Sequence, residues 1–454
     1  MLSPFPFDFA LAFGFISVLL LIGTLCRATI PLVQRYLFPS CLIGGLLGSI
    51  AMNLGWINVS TDLLESFAFH FFNISFISAG LTKDSKVRNS WKKRWKFLQG
   101  TFWMALTQGI TFPLQAIIGG LVVLGFGLFG VELFTTFGFL SPLGFNEGPG
   151  QALSFGKTWE GLGFADAATI GLAFAAIGYL FSFFIGVPLA NWGLRKGLAA
   201  GGNRRLPNEF VRGYLPVAKK GDSAGSLKLH PSNIDSLAYQ AALIGLVYVI
   251  TYFLVDYLGS FFDQNTARMI WGFFFFFGLI VAVILRSLMD LLQIGYLADE
   301  GIQKRITGWS VDYLIVAMVP AIQISVIWQY ALPVATISLI NGLLTTLVVL
   351  YLGRRLISEN LERMLAIFGT VTGTISCGLL LLRISDPNFK TSVAMELAIM
   401  NIFVLAIITP CTILVNAPLW WGWKLELTLL AYLGIAIVSY LLLRLLGLQG
   451  KRKF

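Results

Sequence analysis

The chain has 454 residues, of which 57% are hydrophobic and 12% charged, and its net charge is +10. Soluble domains carry roughly 25% charged residues, so a soluble enzyme, a nucleic-acid binder and a disordered chain are excluded. An integral membrane protein is expected. Four cysteines, Cys26, Cys41, Cys377 and Cys411, lie in apolar stretches without a CxxC pair, and there are two histidines, His70 and His230. These numbers argue against a disulfide framework, a zinc site and histidine-based catalysis. No catalytic residue and no cofactor is expected.

Apolar runs long enough for a hydrocarbon core of roughly 30 Å recur at about 8–26, 39–57, 64–82, 97–130, 166–192, 236–258, 268–289, 309–329, 331–352, 391–416 and 424–446. The first has no basic leader and reads as a retained helix. The connections between these runs alternate in charge. Residues 83–96 hold seven basic residues and 195–228 hold eight, whereas 58–66 hold none. Eleven crossings put 27 of the 32 Lys and Arg on one side. The positive-inside rule makes that side the cytoplasm, with the N-terminus outside and the C-terminus inside. A bacterial cytoplasmic (inner) membrane is the expected location, and the basic runs are topology and lipid-surface signals rather than nucleic-acid contacts.

Two stretches are too broken for a bilayer helix and too apolar for a loop. Residues 134–163 contain seven Gly and two Pro, and 366–390 are rich in Gly and Thr. Irregular backbone at membrane depth is tolerated where protein buries it or it lines an aqueous cavity. Both are therefore expected to be re-entrant hairpins, entering from opposite sides. The fold class is an all-α membrane protein built as an inverted repeat of two five-helix units, each with one hairpin. Residues 1–192 form the first unit, 193–235 a cytoplasmic linker, 236–416 the second unit, and 417–454 an extra helix with a basic tail. An inverted repeat with paired broken elements points to a secondary transporter working by alternating access.

The candidate substrate ligands are Asn146, Glu147, Gly148, Gly150 and Gln151 in the first hairpin and Thr372, Gly373 and Thr374 in the second. Free amides at hairpin tips suit an anionic group. Asn73, Ser75, Asp166, Thr370, Ser376 and Asn401 are candidates for a hard cation, expected to be Na⁺. Glu147 leads, because an ionisable residue at membrane depth is costly; its structural alternative is an ion pair with Lys157. Asp166 has a helix-capping alternative. Glu396 is expected to complete the cavity with Asn401, and Arg383 to pair with Asp386.

The chain resembles the bacterial glutamate:sodium symporter family. The resemblance is carried by Pro39-Ser-Cys-Leu-Ile-Gly44-Gly45-Leu-Leu, Phe71-Phe72-Asn73-Ile-Ser75 and Glu147-Gly148-Pro149-Gly150-Gln151-Ala152 with Trp159 after it, then Gly163-Phe164-Ala-Asp166-Ala167 and Gly186-Val-Pro188. It implies ten helices in an inverted repeat, two hairpins, and sodium-driven glutamate uptake. The chain departs from it in having Glu147 where glutamate carriers of the family typically have His. The expected ligands are a small anionic or zwitterionic solute, Na⁺ and membrane lipid; a homodimer is left open. Proton coupling through Glu147 and an ion channel are the competing readings.

Overall fold

The structure is a computed structural model, and the residues it describes are 7–82, 91–199, 208–214, 225–262, 264–356, 358–386, 391–450 and 452. Among them, all regular structure is helical. The first set comprises α1 (Asp8–Thr29), α2 (Ser40–Asn53), α3 (Thr61–Leu81) and α4 (Trp91–Leu128). A hairpin of α5 (Leu140–Phe145) and α6 (Pro149–Glu160) follows, and then α7 (Ala167–Arg195). The second set repeats that order: α8 (Ser236–Gly259), α9 (Phe274–Leu291), α10 (Glu300–Met318), α11 (Ala331–Gly353), a hairpin of α12 (Asn360–Val371) and α13 (Ile375–Ser385), and α14 (Val393–Leu414). α15 (Leu425–Leu445) closes the chain.

Seven of these, α1, α4, α7, α8, α9, α11 and α15, contain stretches long and apolar enough to cross a membrane. α3 and α10 have 21 and 19 residues but carry more polar side chains. The outer surfaces of several spans are apolar stripes at helical spacing, such as Leu339, Leu343 and Leu347 on α11 and Leu430, Leu433, Ile437 and Leu441 on α15. Leu21 is 70% exposed and Leu347 61%. Such continuous apolar surface is unstable in water and calls for lipid.

Three boundaries differ from the sequence reading. The eighth span begins at Glu300 rather than near 309 and ends at Met318, with a separate short helix over Ile324–Gln329. Asp299 explains the early start: its carboxylate caps the helix by accepting from the Ile302 amide at 2.8 Å. The second hairpin starts at Asn360 rather than 366, and the seventh span breaks at Phe273, after a short helix over Gln264–Gly272. The linker residues 200–207 and 215–224 lie outside the described residues.

By packing, the helices fall into two bodies. α1, α2, α3, α8, α9 and α10 pack mainly on one another; α4, α7, α11, α14, α15 and both hairpins form the other body. α15 lies along α4, where the Leu429 side chain fills the space beside Gly120, and its Tyr432 hydroxyl donates to the Cys411 carbonyl of α14 at 2.8 Å. It thus shields α4 and α14 on the hairpin-bearing side.

Candidate transport site

The two hairpins meet tip to tip. Gly148 has φ +90°, a conformation that glycine adopts without strain. A Cβ there would stand 2.7 Å from Thr374 Cγ2 and 3.2 Å from the Gly373 carbonyl oxygen. α7 backs both tips: a Cβ on Gly178 would stand 2.7 Å from the Thr372 carbonyl oxygen and 3.4 Å from Phe145 Cα. Tyr179, on the same helix, sets its ring against the second tip: a Cβ on Gly373 would stand 3.1 Å from its Cδ1. Pro149 at the first turn of α6 ends the turn and starts the second leg. Gly150 brings that leg onto α3, with the Phe72 ring in the space a Cβ would take.

A buried polar network surrounds the first tip. Glu147 accepts from Gln108 Nε2 at its Oε1 and from Gln151 Nε2 at its Oε2, both at 2.9 Å. Asn146 donates to Thr111 Oγ1 at 3.1 Å and to Gln115 Oε1 at 3.4 Å. Gln115 donates to Thr345 Oγ1 at 3.0 Å and to the Val371 carbonyl at 3.1 Å, one residue before the second tip. Asn341 donates to the Gln115 carbonyl and to Ser141 Oγ. The amide oxygens Gln108 Oε1, Asn146 Oδ1 and Gln151 Oε1 are buried without a partner. Buried acceptors left open at membrane depth are costly. A carboxylate among neutral amide oxygens is a donor set that suits a hard monovalent cation.

The remaining sequence candidates are distributed differently. Gly373 lies beside Cys377 Sγ and the Tyr179 ring. Thr370 and Thr372 both return their hydroxyls to their own helix, on the Ala366 and Phe368 carbonyls. Ser75 does the same on Phe72, and Asn73 donates to the Phe69 carbonyl of its own helix, α3, within the other body. Asp166 stands immediately before α7, in the left-handed conformation. It is twelve residues from Gly178, about 18 Å along the helix axis, and is therefore not brought to the tips. It does not cap α7 through its side chain either; Glu160 Oε1 accepts from the Ala168 amide at 3.1 Å. The side chains of Ser376 and Asn401 lie outside the described residues.

The partners of Lys157 and Glu396 differ from those the sequence suggested. Lys157 contacts Glu65, Glu160 at 3.1 Å and Asp62 at 3.9 Å, leaving Glu147 to its two amides. Glu396 faces the base of the second hairpin, where its oxygens accept from Arg363 Nε and Nη2 at 2.7 Å. Asp386 accepts from the Thr391 hydroxyl and amide.

Sequence reasoning missed Gln108, Thr111 and Gln115 on α4 and Asn341 and Thr345 on α11. Their signal was polar residues spaced by three or four within apolar runs, one face of each helix.

A family model described as sodium/glutamate symporter matches residues 5–360. The match ends where α12 begins, so the second hairpin lies almost wholly beyond it. No curated protein matches the chain. By that match, which covers most of its length, and by its several apolar spans, this multi-pass membrane protein belongs to the sodium/glutamate symporter family.

Proposed function

We propose that the protein is a sodium-coupled symporter of glutamate or a closely related anionic or zwitterionic solute, working by alternating access in the bacterial cytoplasmic membrane. The observation that carries this reading is the meeting of the two hairpin tips within the buried network from Gln108 to Thr345. The two sets of five helices are read as inverted repeats, with the basic connections on the cytoplasmic side. The hairpin-bearing body carries the solute and Na⁺, and it moves against the six-helix body. Glu147 with the amide oxygens of Gln108, Asn146 and Gln151 holds the cation, while the tip amides take a carboxylate.

Purified protein in liposomes is expected to accumulate glutamate when a sodium gradient is imposed, and to stop when that gradient is collapsed. Uptake that ignores sodium would overturn the coupling. Proton coupling is the second reading, favoured by Glu147 as a carboxylate bonded to two neutral amides. It is separated by imposing a pH gradient at equal sodium on both sides.

A further inference from the structure

Asp312 takes no part in the hairpin network, yet its placement is unusual. It lies twelve residues beyond Glu300 on α10, about 18 Å along the axis, near the middle of a core roughly 30 Å thick. Asp312 is exposed on α10. A carboxylate at that depth pairs with another group or faces the interior of the bundle rather than lipid. Lys304, Gly308 and Asp312 are all exposed, and their spacing of four puts them on one face of α10. A Cβ on Gly308 would meet nothing within 4 Å. One turn beyond Asp312, Ile315 and Val316 are buried, and a Cβ on Gly45 of α2 would stand 3.4 Å from the Ile315 carbonyl oxygen. An exposed face of α10 thus runs from its basic end to Asp312 and gives way to buried packing one turn later.

That face ends near the second hairpin tip. Asp312 lies within electrostatic reach of Tyr179, the α7 residue whose ring lies against Gly373 at that tip. The group beside it is the Cys41 thiol of α2, a weak donor. A carboxylate at this depth is expensive unless something cationic meets it. Glu147 is already assigned to the coupling cation in the reading above, so Asp312 is the carboxylate left to meet a second cationic group. Basic residues at one end of this face and a carboxylate at the other suit a ligand that is anionic overall but carries one ammonium group.

We propose that Asp312 binds the α-ammonium group of an amino-acid substrate, from the face of α10 near the second hairpin tip. This rests on the glutamate reading and deepens it: the carboxylates of the substrate go to the hairpins and its ammonium to the six-helix body. Asp312 is then the residue that selects an amino acid over the same skeleton without nitrogen.

The test compares unlabelled L-glutamate with glutarate as inhibitors of sodium-driven labelled glutamate uptake in proteoliposomes. Wild-type protein is expected to favour glutamate strongly. Asp312→Asn should lower that preference at least tenfold by weakening glutamate and sparing glutarate, and Asp312→Glu should recover part of it. If Asp312→Asn transports too slowly, the same comparison is made by thermal stabilisation of the purified variant. An unchanged preference in Asp312→Asn overturns the proposal, as does a preference equally lost in Asp312→Glu. Loss of sodium dependence with the preference intact assigns Asp312 to the coupling ion and also overturns it. A wild-type protein that takes up no glutamate overturns the functional reading and this one together, whereas an active wild type beside an unselective effect overturns this one alone.

Discussion

Glu147 is held by two amides rather than by a cation, and this decides what its replacement does. Each oxygen accepts one hydrogen bond, from Gln108 and from Gln151. A glutamine at 147 has one acceptor and one donor end, so it sets a donor against a donor on one side. An unmet buried hydrogen bond costs about 1–3 kcal/mol, and the charge that would meet Na⁺ is lost as well. Glu147→Gln is therefore expected to reduce sodium-driven uptake at least tenfold in proteoliposomes; full activity would remove Glu147 from the site. At this scale the sequence was legible where a polar residue stood inside a glycine-rich break, as with Asn146, Glu147 and Gln151. It was silent where the polar residue was a neutral amide in an apolar run, as with Gln108, Gln115 and Asn341. Such residues become meaningful only through partners that are 30 to 260 positions away, as in the pairs Asn146–Gln115 and Gln115–Val371. Asp312 was hidden by a boundary. With the span read as 309–329 it stood near a helix end, whereas the cap at Asp299 starts the helix early enough to carry it to mid-depth.

Among elements, the base of the second hairpin is fixed by charge, with Arg363 bonded to Glu396 and also to Glu359 at 2.9 Å. Arg363 on α12 and Glu396 on α14 are both almost fully buried and joined by two hydrogen bonds, with Ser392 also donating to Glu396 at 2.7 Å. Removing one partner of a buried pair strands the other charge and costs about 3–5 kcal/mol, whereas replacing both by apolar residues is often close to neutral. Arg363→Met or Glu396→Leu alone should therefore lower the unfolding temperature in detergent markedly, and the double variant should recover most of the loss. A double variant as unstable as the worse single one would show that the pair does not act as a unit. The start of α10 is fixed differently. Burial pulls the Asp299 carboxyl upward, but bonds from the Ser226 hydroxyl and from the Ile302 and Ser226 amides, with Lys228 nearby, outweigh it and hold the group below its ordinary value. A lowered folded pKa stabilises above the unfolded pKa of about 4 and is lost as pH falls through the lower folded value. Wild-type stability should fall in that acid window, and Asp299→Asn should flatten the fall, as read by unfolding temperature against pH. The helix order was legible because apolar runs and charged connections alternate. The hairpin legs were less so, since the first turn of α12 carries Glu362 and Arg363 and reads as part of the charged connection before it.

For the whole molecule, sequence order and packing divide the chain along different lines. The linker separates two consecutive sets of helices, yet each packed body draws α1–α3 or α4–α7 from the first and its counterparts from the second. Hydropathy reports burial in lipid but not which neighbour a helix chooses, so this division was not legible. It fixes where motion has to occur if the hairpins are to face each side in turn. The bodies touch at the Lys157 end: Lys157 of α6 contacts Glu65 of α3, and Ser154 donates to the Gly272 carbonyl at 2.8 Å. Phe155 packs edge-on against Phe273 there, with ring centroids 5.1 Å apart. At the other end the face of α10 from Lys304 to Asp312 is exposed. With the basic connections on the cytoplasmic side, as proposed above, the Lys157 end is the outer one, and the Lys157–Glu65 contact must then break for the site to open there. Cysteines at Lys157 and Glu65, bridged by a short cleavable linker in a chain whose native cysteines are replaced, should therefore stop uptake, and cleavage should restore it. The same bridge between Ser78 of α3 and Gln303 of α10, whose side chains meet at 2.7 Å within one body, should leave uptake largely intact. If the first bridge is harmless, the bodies do not part at that end during transport; if the second one also blocks uptake, the six-helix body is not the rigid frame.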